Sequence, residues 1–439
     1  MFERFFQLRT HGTTARTEVL GGMTTFASMA YIIVVNPAIL QFAGLPVGPS
    51  TVATIVTAVF GCVLMGLYAN RPLAVAPYMG ENAFLAFGLT AFGIGWQLRL
   101  GAVFVSGLGF VAITLLGIRA WLANSISPSL KYSFAVGIGL FLAFIGLYQT
   151  GIVAGATGGV PLKIGNFHDS HVLLAIFGFV LTAALMARRI RGGILLGMVL
   201  TAVLGYVLGL GQAPQSAVAL PFAGEYSLAA IAGQLDIRGV LRLSFLPILL
   251  TLFLMGFLDT LGTLVGVGAA GKMLDKDGNF PQVHRPMLVD ALTCIFGSLV
   301  GTSTSGAYIE SATGVLEGAR TGLAAVTTGV LFAASLFFIP LVQPMQKLSY
   351  AYGPALIMVG VTMIGSVVRI DFEDFTECVP AFATLAMMVF TYNIANGITA
   401  GLILYPVMKL VAGRARDLQV GSIALAIVCL LYYLFGLPH

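Results

Sequence analysis

The chain has 439 residues, of which 58% are hydrophobic and 9% charged, with a net charge of +5 and a mean hydropathy of +0.97. A domain that meets water on every side carries roughly 25% charged residues, so this chain cannot cover itself with polar surface. A secreted disulfide scaffold, a nucleic-acid binder and a soluble enzyme are excluded, and the surplus of Lys and Arg reports orientation in a bilayer before it reports partners.

The first 18 residues are polar, with Arg4, Arg9 and Arg16, and contain no short apolar run ending in a cleavage site, so no leader is expected. A crossing helix needs about 20 apolar residues. Candidate spans follow at 19–40, 51–69, 72–92, 98–118, 133–149, 171–187, 193–211, 244–268, 287–301, 302–318, 321–340, 350–368, 377–393, 396–412 and 419–437. The stretch 302–318 is too short to cross alone, and 419–437 reads either as an extra crossing or as an interfacial helix. The longest polar connections are 150–170, 212–243 and 269–286. With the N-terminus inside, 13 Lys and Arg up to residue 350 face inward, against 5 outward (Arg99, Lys163, Arg238, Arg242 and Lys347), which predicts a cytoplasmic N-terminus.

Some motifs are set aside. "GVGAAGK" (266–272) follows an apolar helix, and Met273 stands where a phosphate-binding loop needs Ser or Thr. "DKDGN" (275–279) lacks the Glu that closes a calcium loop, and reads as a solvated turn. His11, His168, His171, His284 and His439 read as loop or tail residues without metal-ligand spacing, so no metal is expected. Cys62, Cys294, Cys378 and Cys429 read as small buried hydrophobes.

The chain looks internally duplicated. "LGAVFVSGLGFVAITLLGI" (100–118) resembles "GLAAVTTGVLFAASLFFI" (322–339), matching Gly107 to Gly329 and Phe110 to Phe332. Upstream, "APYMGENAF" (76–84) parallels "SGAYIESATG" (305–314). Seven crossings separate equivalent elements, so the repeats have opposite orientations, a pattern of secondary transporters. A passive channel fits this pattern less well, and no metal or nucleophilic constellation supports a membrane enzyme.

Ionisable residues in a bilayer cost at least ~2.5 kcal/mol each and mark sites. Asp259 in the eighth span, Glu81 in the third and Glu310 in the tenth stand out, the last two in equivalent places of the repeats. The segments of Glu81 and Glu310 are dense in Gly, Ser, Thr and Pro, a composition that breaks helices and frees backbone N–H and C=O groups. Glu81 follows Gly80 and has two readings, site acid or half-helix cap. Without an intramembrane cation beside them, such acids take up protons. Carboxylates accept N–H donors, Asn82 both donates and accepts, and Phe84 and Tyr308 offer aromatic faces. That set suits a flat heterocycle and suits an inorganic anion badly.

"HGTTARTEVLGGMTTFASMAYIIVVNPAIL" (11–40), "GENAFLAF" (80–87), "FLDTLGTLVGV" (257–267), "GTSTSGAYIESATGV" (301–315) and "VPAFATLAMM" (379–388) resemble the nucleobase–cation symporter-2 family, in its AzgA-like purine permease branch, over residues 5–437. The resemblance implies an all-α polytopic membrane protein with 14 transmembrane segments in two inverted repeats of seven, the third and tenth segments discontinuous. A core domain would hold 1–132 and 244–349, and a gate domain 133–243 and 350–439. It implies proton-coupled import of adenine, guanine or hypoxanthine across the cell membrane, with no cofactor besides the proton and often as a homodimer. By the resemblance Asp259 and Glu310 contact the base, Asn82 matches the asparagine of the third span, and Ser28 and Met29 fall in the substrate-adjacent stretch of the first. Glu81 departs from the apolar residue common at its position, and so bears on base preference and proton stoichiometry. Uracil or xanthine transport in the same family and anion exchange on the same fold are the competing expectations.

Overall fold

The computed structural model describes residues 2–90, 93–117, 121, 125–156, 161–275 and 280–435. Helix dominates because hydrocarbon offers no partners to backbone polar groups. Among the described residues, nine helices are long and apolar enough to cross a membrane, and shorter apolar helices accompany them.

The first half comprises α1 (Ala15–Met29), α2 (Ile32–Leu40), α3 (Val47–Leu64), β1 (Val75–Pro77), α4 (Met79–Ala83), α5 (Trp96–Leu116), α6 (Pro128–Gln149), a hairpin of β2 (Val153–Gly155) and β3 (Leu162–Ile164), α7 (Ser170–Ala187) and α8 (Gly193–Val207). The second half comprises α9 (Leu246–Ala270), α10 (His284–Val300), β4 (Ser305–Ala307), α11 (Ser311–Leu316), α12 (Gly322–Ser335), α13 (Ser349–Ile364), α14 (Phe375–Phe390), α15 (Ile394–Val411) and α16 (Val420–Phe435). Taking α1–α2, β1–α4 and β4–α11 as single segments gives 14 in two sets of seven. The third and tenth are the discontinuous ones, and α16 packs beyond the fourteenth.

The two broken segments meet. β1 pairs antiparallel with β4, in the register Val75↔Ala307, Ala76↔Gly306, Pro77↔Ser305. A two-fold rotation through the central pair carries Tyr78 onto Tyr308, and their rings stack with centroids 6.2 Å apart and planes 11° from parallel. This register refines the repeat: Gly80 matches Glu310 and Glu81 matches Ser311, so the two glutamates are offset by one residue rather than equivalent. Gly306 is required where it stands, because an added Cβ would lie 2.1 Å from the Tyr78 hydroxyl.

The matched glycines of the longer repeat occupy matched contacts. A Cβ on Gly107 would lie 3.3 Å from Cys294 Cβ, and one on Gly329 would lie 3.2 Å from Cys62 Cβ. Each half thus packs its fourth segment on the second segment of the other half.

Two packed groups are visible. α1, α3, α5 and α9–α12 gather around the strand pair, whereas α6–α8 and α13–α15 pack on one another. In the second group α6 and α13 touch backbone to backbone, since a Cβ on Gly360 would lie 2.4 Å from Gly139 O. Overpacking costs about 1–3 kcal/mol. Gly360→Leu should therefore lower the melting temperature of the purified protein by several degrees. Gly365→Leu, where an added Cβ meets nothing within 4 Å, should leave it unchanged; equal melting of the two variants would contradict this packing.

Candidate functional site

The first segment bends between α1 and α2, at Ala30–Tyr31. Pro37 in α2 has no N–H for the carbonyl of Ile33, and Gln346 Nε2 supplies the missing donor at 2.9 Å. The bend directs Tyr31 to the tenth segment, where its hydroxyl donates to Glu310 Oε1 at 2.8 Å. Ser28 Oγ lies 3.1 Å from Thr313 Oγ1, and Met29 beside it is fully buried. The first and tenth segments are joined through the residues flanking Glu310.

Asn82 sits on α4. Its Nδ2 donates to Asn36 Oδ1 at 2.6 Å. Asn36 in turn donates to Thr54 Oγ1 at 2.7 Å and Thr302 Oγ1 at 3.0 Å. These bonds fix the Asn82 carboxamide and leave its Oδ1 without a partner. Glu81 is buried, with Oε1 unpartnered, so this oxygen caps no half-helix. Neither α4 nor α11 has a side-chain cap at its start.

Asp259, on α9, lies within Coulombic range of both Glu310 and Glu81. Tyr308 feels the charge of all three acids, and its hydroxyl donates to Pro77 O. The structure therefore brings together Asp259, Glu310, Glu81, Asn82 and Tyr308, with Ser28 and Met29 on the flank. Phe84 lies a little further along the third segment, 1% exposed, with its ring against Gly88. Among the described residues no Lys or Arg forms an ion pair with these acids.

A fourth acid belongs with them. Asp290 on α10 is fully buried, and its Oδ2 accepts from Thr260 Oγ1 at 2.8 Å and from the Ala307 N–H at 2.9 Å. Since Thr260 gives its one proton to Asp290, Tyr78, 3.0 Å away, donates to Thr260. A single chain of bonds thus ties β4, α10, α9 and the residue after β1. The rule that singles out Asp259 applies equally to Asp290 in "HRPMLVDALTC", but the sequence reading passes over it. Tyr31 and Asn36 carry weaker signals, as polar groups in an apolar span.

The cysteines are not inert filler. Val75 N donates to Cys62 Sγ at 3.3 Å, and Cys62 Sγ returns a bond to Val75 O at 3.3 Å. Cys294 does the same for Ser305, with 3.2 Å and 3.0 Å. Val75 and Ser305 are the matched first residues of β1 and β4. Each thiol therefore satisfies the residue where the strand begins. Cys429 is buried and Cys378 half-buried.

Two arginines close the far ends of the broken segments. Arg99 is 5% exposed and donates to Ile94 O at 2.8 Å, to Ala86 O at 3.3 Å and to Leu85 O. It is a buried residue rather than part of an open connection. Arg320 donates to Val315 O at 2.6 Å and Ala319 O at 2.7 Å. A cation suits the carbonyl end of a helix. His171 and His284 stand in the first turns of α7 and α10 rather than in loops. Residues 276–279 of the "DKDGN" turn and His439 lie outside the described residues.

Comparison with known proteins gives one picture along the whole chain. Residues 16–400 match the model of a Permease family. The adenine permease AdeP of Escherichia coli is 41% identical over 440 residues, covering 100% of this chain and 97% of the relative. The guanine/hypoxanthine permease PbuG of Bacillus subtilis is 40% identical, covering 98% and 99%. Among solved structures, the transmembrane domain of the cyanobacterial bicarbonate transporter BicA superposes with a TM-score of 0.65 at 16% identity, covering 88% of this chain and 97% of that one. The murine Solute Carrier 26 family member A9 anion transporter, inward-facing, gives 0.60 at 12% identity, covering 90% and 68%. These two likenesses concern the fold.

The thiol pairs lead to a testable outcome. A buried unsatisfied donor or acceptor costs about 1–3 kcal/mol. Cys62→Val and Cys294→Val should each lower the melting temperature, and the double variant further. Cys→Ser at the same positions, which keeps both bonding roles, should recover most of the loss. Equal melting of the Ser and Val variants would show that the sulfur bonds carry no stability.

Proposed function

Because the chain belongs to the nucleobase–cation symporter-2 family, in its AzgA-like purine permease branch, we propose that it imports adenine, guanine or hypoxanthine coupled to protons. The protein is a multi-pass membrane transporter, not an enzyme. The observation that carries the purine reading is the acceptor set of the site. Glu310, Asp259 and Glu81 are acceptors when ionised, Asn82 Oδ1 is unpartnered, and Tyr308 provides a ring among them. A purine offers ring and exocyclic N–H donors on a flat aromatic frame. Among the described residues no cation pairs with these three acids, a setting that disfavours an inorganic anion.

In this mechanism Glu310 and Asp259 accept base N–H groups, Asn82 accepts at a second edge, and Tyr308 or Phe84 covers a face. One of the acids carries the coupling proton, and Glu81 adds a second titratable group. Residues 1–132 with 244–349 form a core, residues 133–243 with 350–439 form a gate, and the core slides against the gate to alternate access. The packing of the two helix groups supports that division. The N-terminus faces the cytoplasm of the cell membrane, and copies pair through the gate.

Proteoliposomes with an inward proton gradient should accumulate labelled adenine, guanine or hypoxanthine, and collapse of the gradient should abolish accumulation. Glu310→Gln and Asp259→Asn should each cut initial uptake by about tenfold or more, as loss of a charge-assisted bond does. Accumulation of uracil or xanthine alone, or unchanged uptake and pH dependence in both variants, would sink this assignment.

A further inference from the structure

A second aromatic site lies beyond the acid cluster. The third, fifth and thirteenth segments all end on the face opposite the N-terminus. Their ends border an open cleft of about 360 Å³, with Phe87, Phe144, Tyr148, Gln149 and Tyr392 along it. This falls within the ~300–1,000 Å³ usual for small-molecule sites. None of the lining residues belongs to the acid cluster.

The cleft is built rather than incidental. Tyr392 adopts φ 53° just past the C-terminus of α14, where its N–H bonds Val389 O and the Asn393 N–H bonds Met388 O, an ordinary left-handed helix ending. Its ring is held edge-on by three others: Phe87 at 5.6 Å, Phe141 at 5.4 Å and Phe144 at 5.6 Å. The next residue, Asn393, donates from Nδ2 to Gly88 O at 3.2 Å and accepts from the Ala395 N–H at 2.9 Å. The loop carrying Tyr392 is thereby pinned to the third segment. Phe87 lies six residues after Glu81 on that segment, about 9 Å further along at helical rise.

We infer that this cleft is an antechamber that binds the planar base before it reaches the acid cluster. The chemistry is ring faces plus one amide, Gln149, which both donates and accepts. Such a set holds any flat heteroaromatic molecule by stacking and discriminates little between bases. Affinity there is low, and selection falls to the acids. The inference rests on the purine reading of the central site.

Alkylation of an introduced thiol tests it in the full chain reconstituted in nanodiscs. Tyr148 is 45% exposed, so Tyr148→Cys should fold. Cys378→Ser in the same chain removes the half-buried native thiol. Millimolar adenine, guanine or hypoxanthine should slow maleimide labelling of the new thiol at least threefold. The protection should persist when Glu310→Gln is added to disable the central site. An unchanged labelling rate, or protection that vanishes with Glu310→Gln, would overturn the antechamber. Failure of the central reading looks different: the wild-type chain would then accumulate none of these bases.

Discussion

The structure turns on a debt of backbone hydrogen bonds. Two segments abandon helix in mid-membrane, and each extended residue there presents an N–H and a C=O to a medium that offers no partner. Pairing β1 with β4 settles most of this, since each strand completes the other. Cys62 and Cys294 serve the first residue of each strand, Asp290 takes the Ala307 N–H, and Arg99 and Arg320 meet the carbonyls at the far ends. Everything near the acid cluster is arranged around keeping two short strands unsolvated.

That arrangement also shapes the chemistry. The strands bring Tyr78 and Tyr308 face to face and set Asn82, Glu81 and Glu310 on the turns that follow. Protein partners already consume the donors of Asn82, Tyr78 and Tyr31. What remains unengaged are acceptors: Glu81 Oε1, Asn82 Oδ1 and Asp290 Oδ1.

Much of this is legible in the residues alone. Hydropathy locates every segment, because a span must be apolar over its length, and Gly/Ser/Thr/Pro density marks the two that break. Asp259, Glu81 and Glu310 announce themselves as charges in apolar runs. Asp290 does too, in an unbroken segment like that of Asp259. The one-residue offset between Glu81 and Glu310 is invisible in sequence, where matching acid to acid looks natural; only strand register decides it. The cysteine bonds are hidden for another reason, since a thiol reads equally well as an apolar atom or as a weak donor and acceptor. Tyr31 reaches Glu310 across 279 residues of chain, a contact that only the folded arrangement reveals.

The strand pair has a consequence for biogenesis. β1 and β4 lie 230 residues apart in the chain. Synthesis at roughly 5–20 residues per second separates their emergence by about 10–50 s. Throughout that interval the third segment sits in or beside the bilayer with its edge unpaired. Something must shelter it, whether insertion machinery, neighbouring helices of the first half, or delayed entry into the lipid. The strand pair can therefore close only after the tenth segment emerges, and chains released before it would carry an open polar edge in their membrane-facing interior.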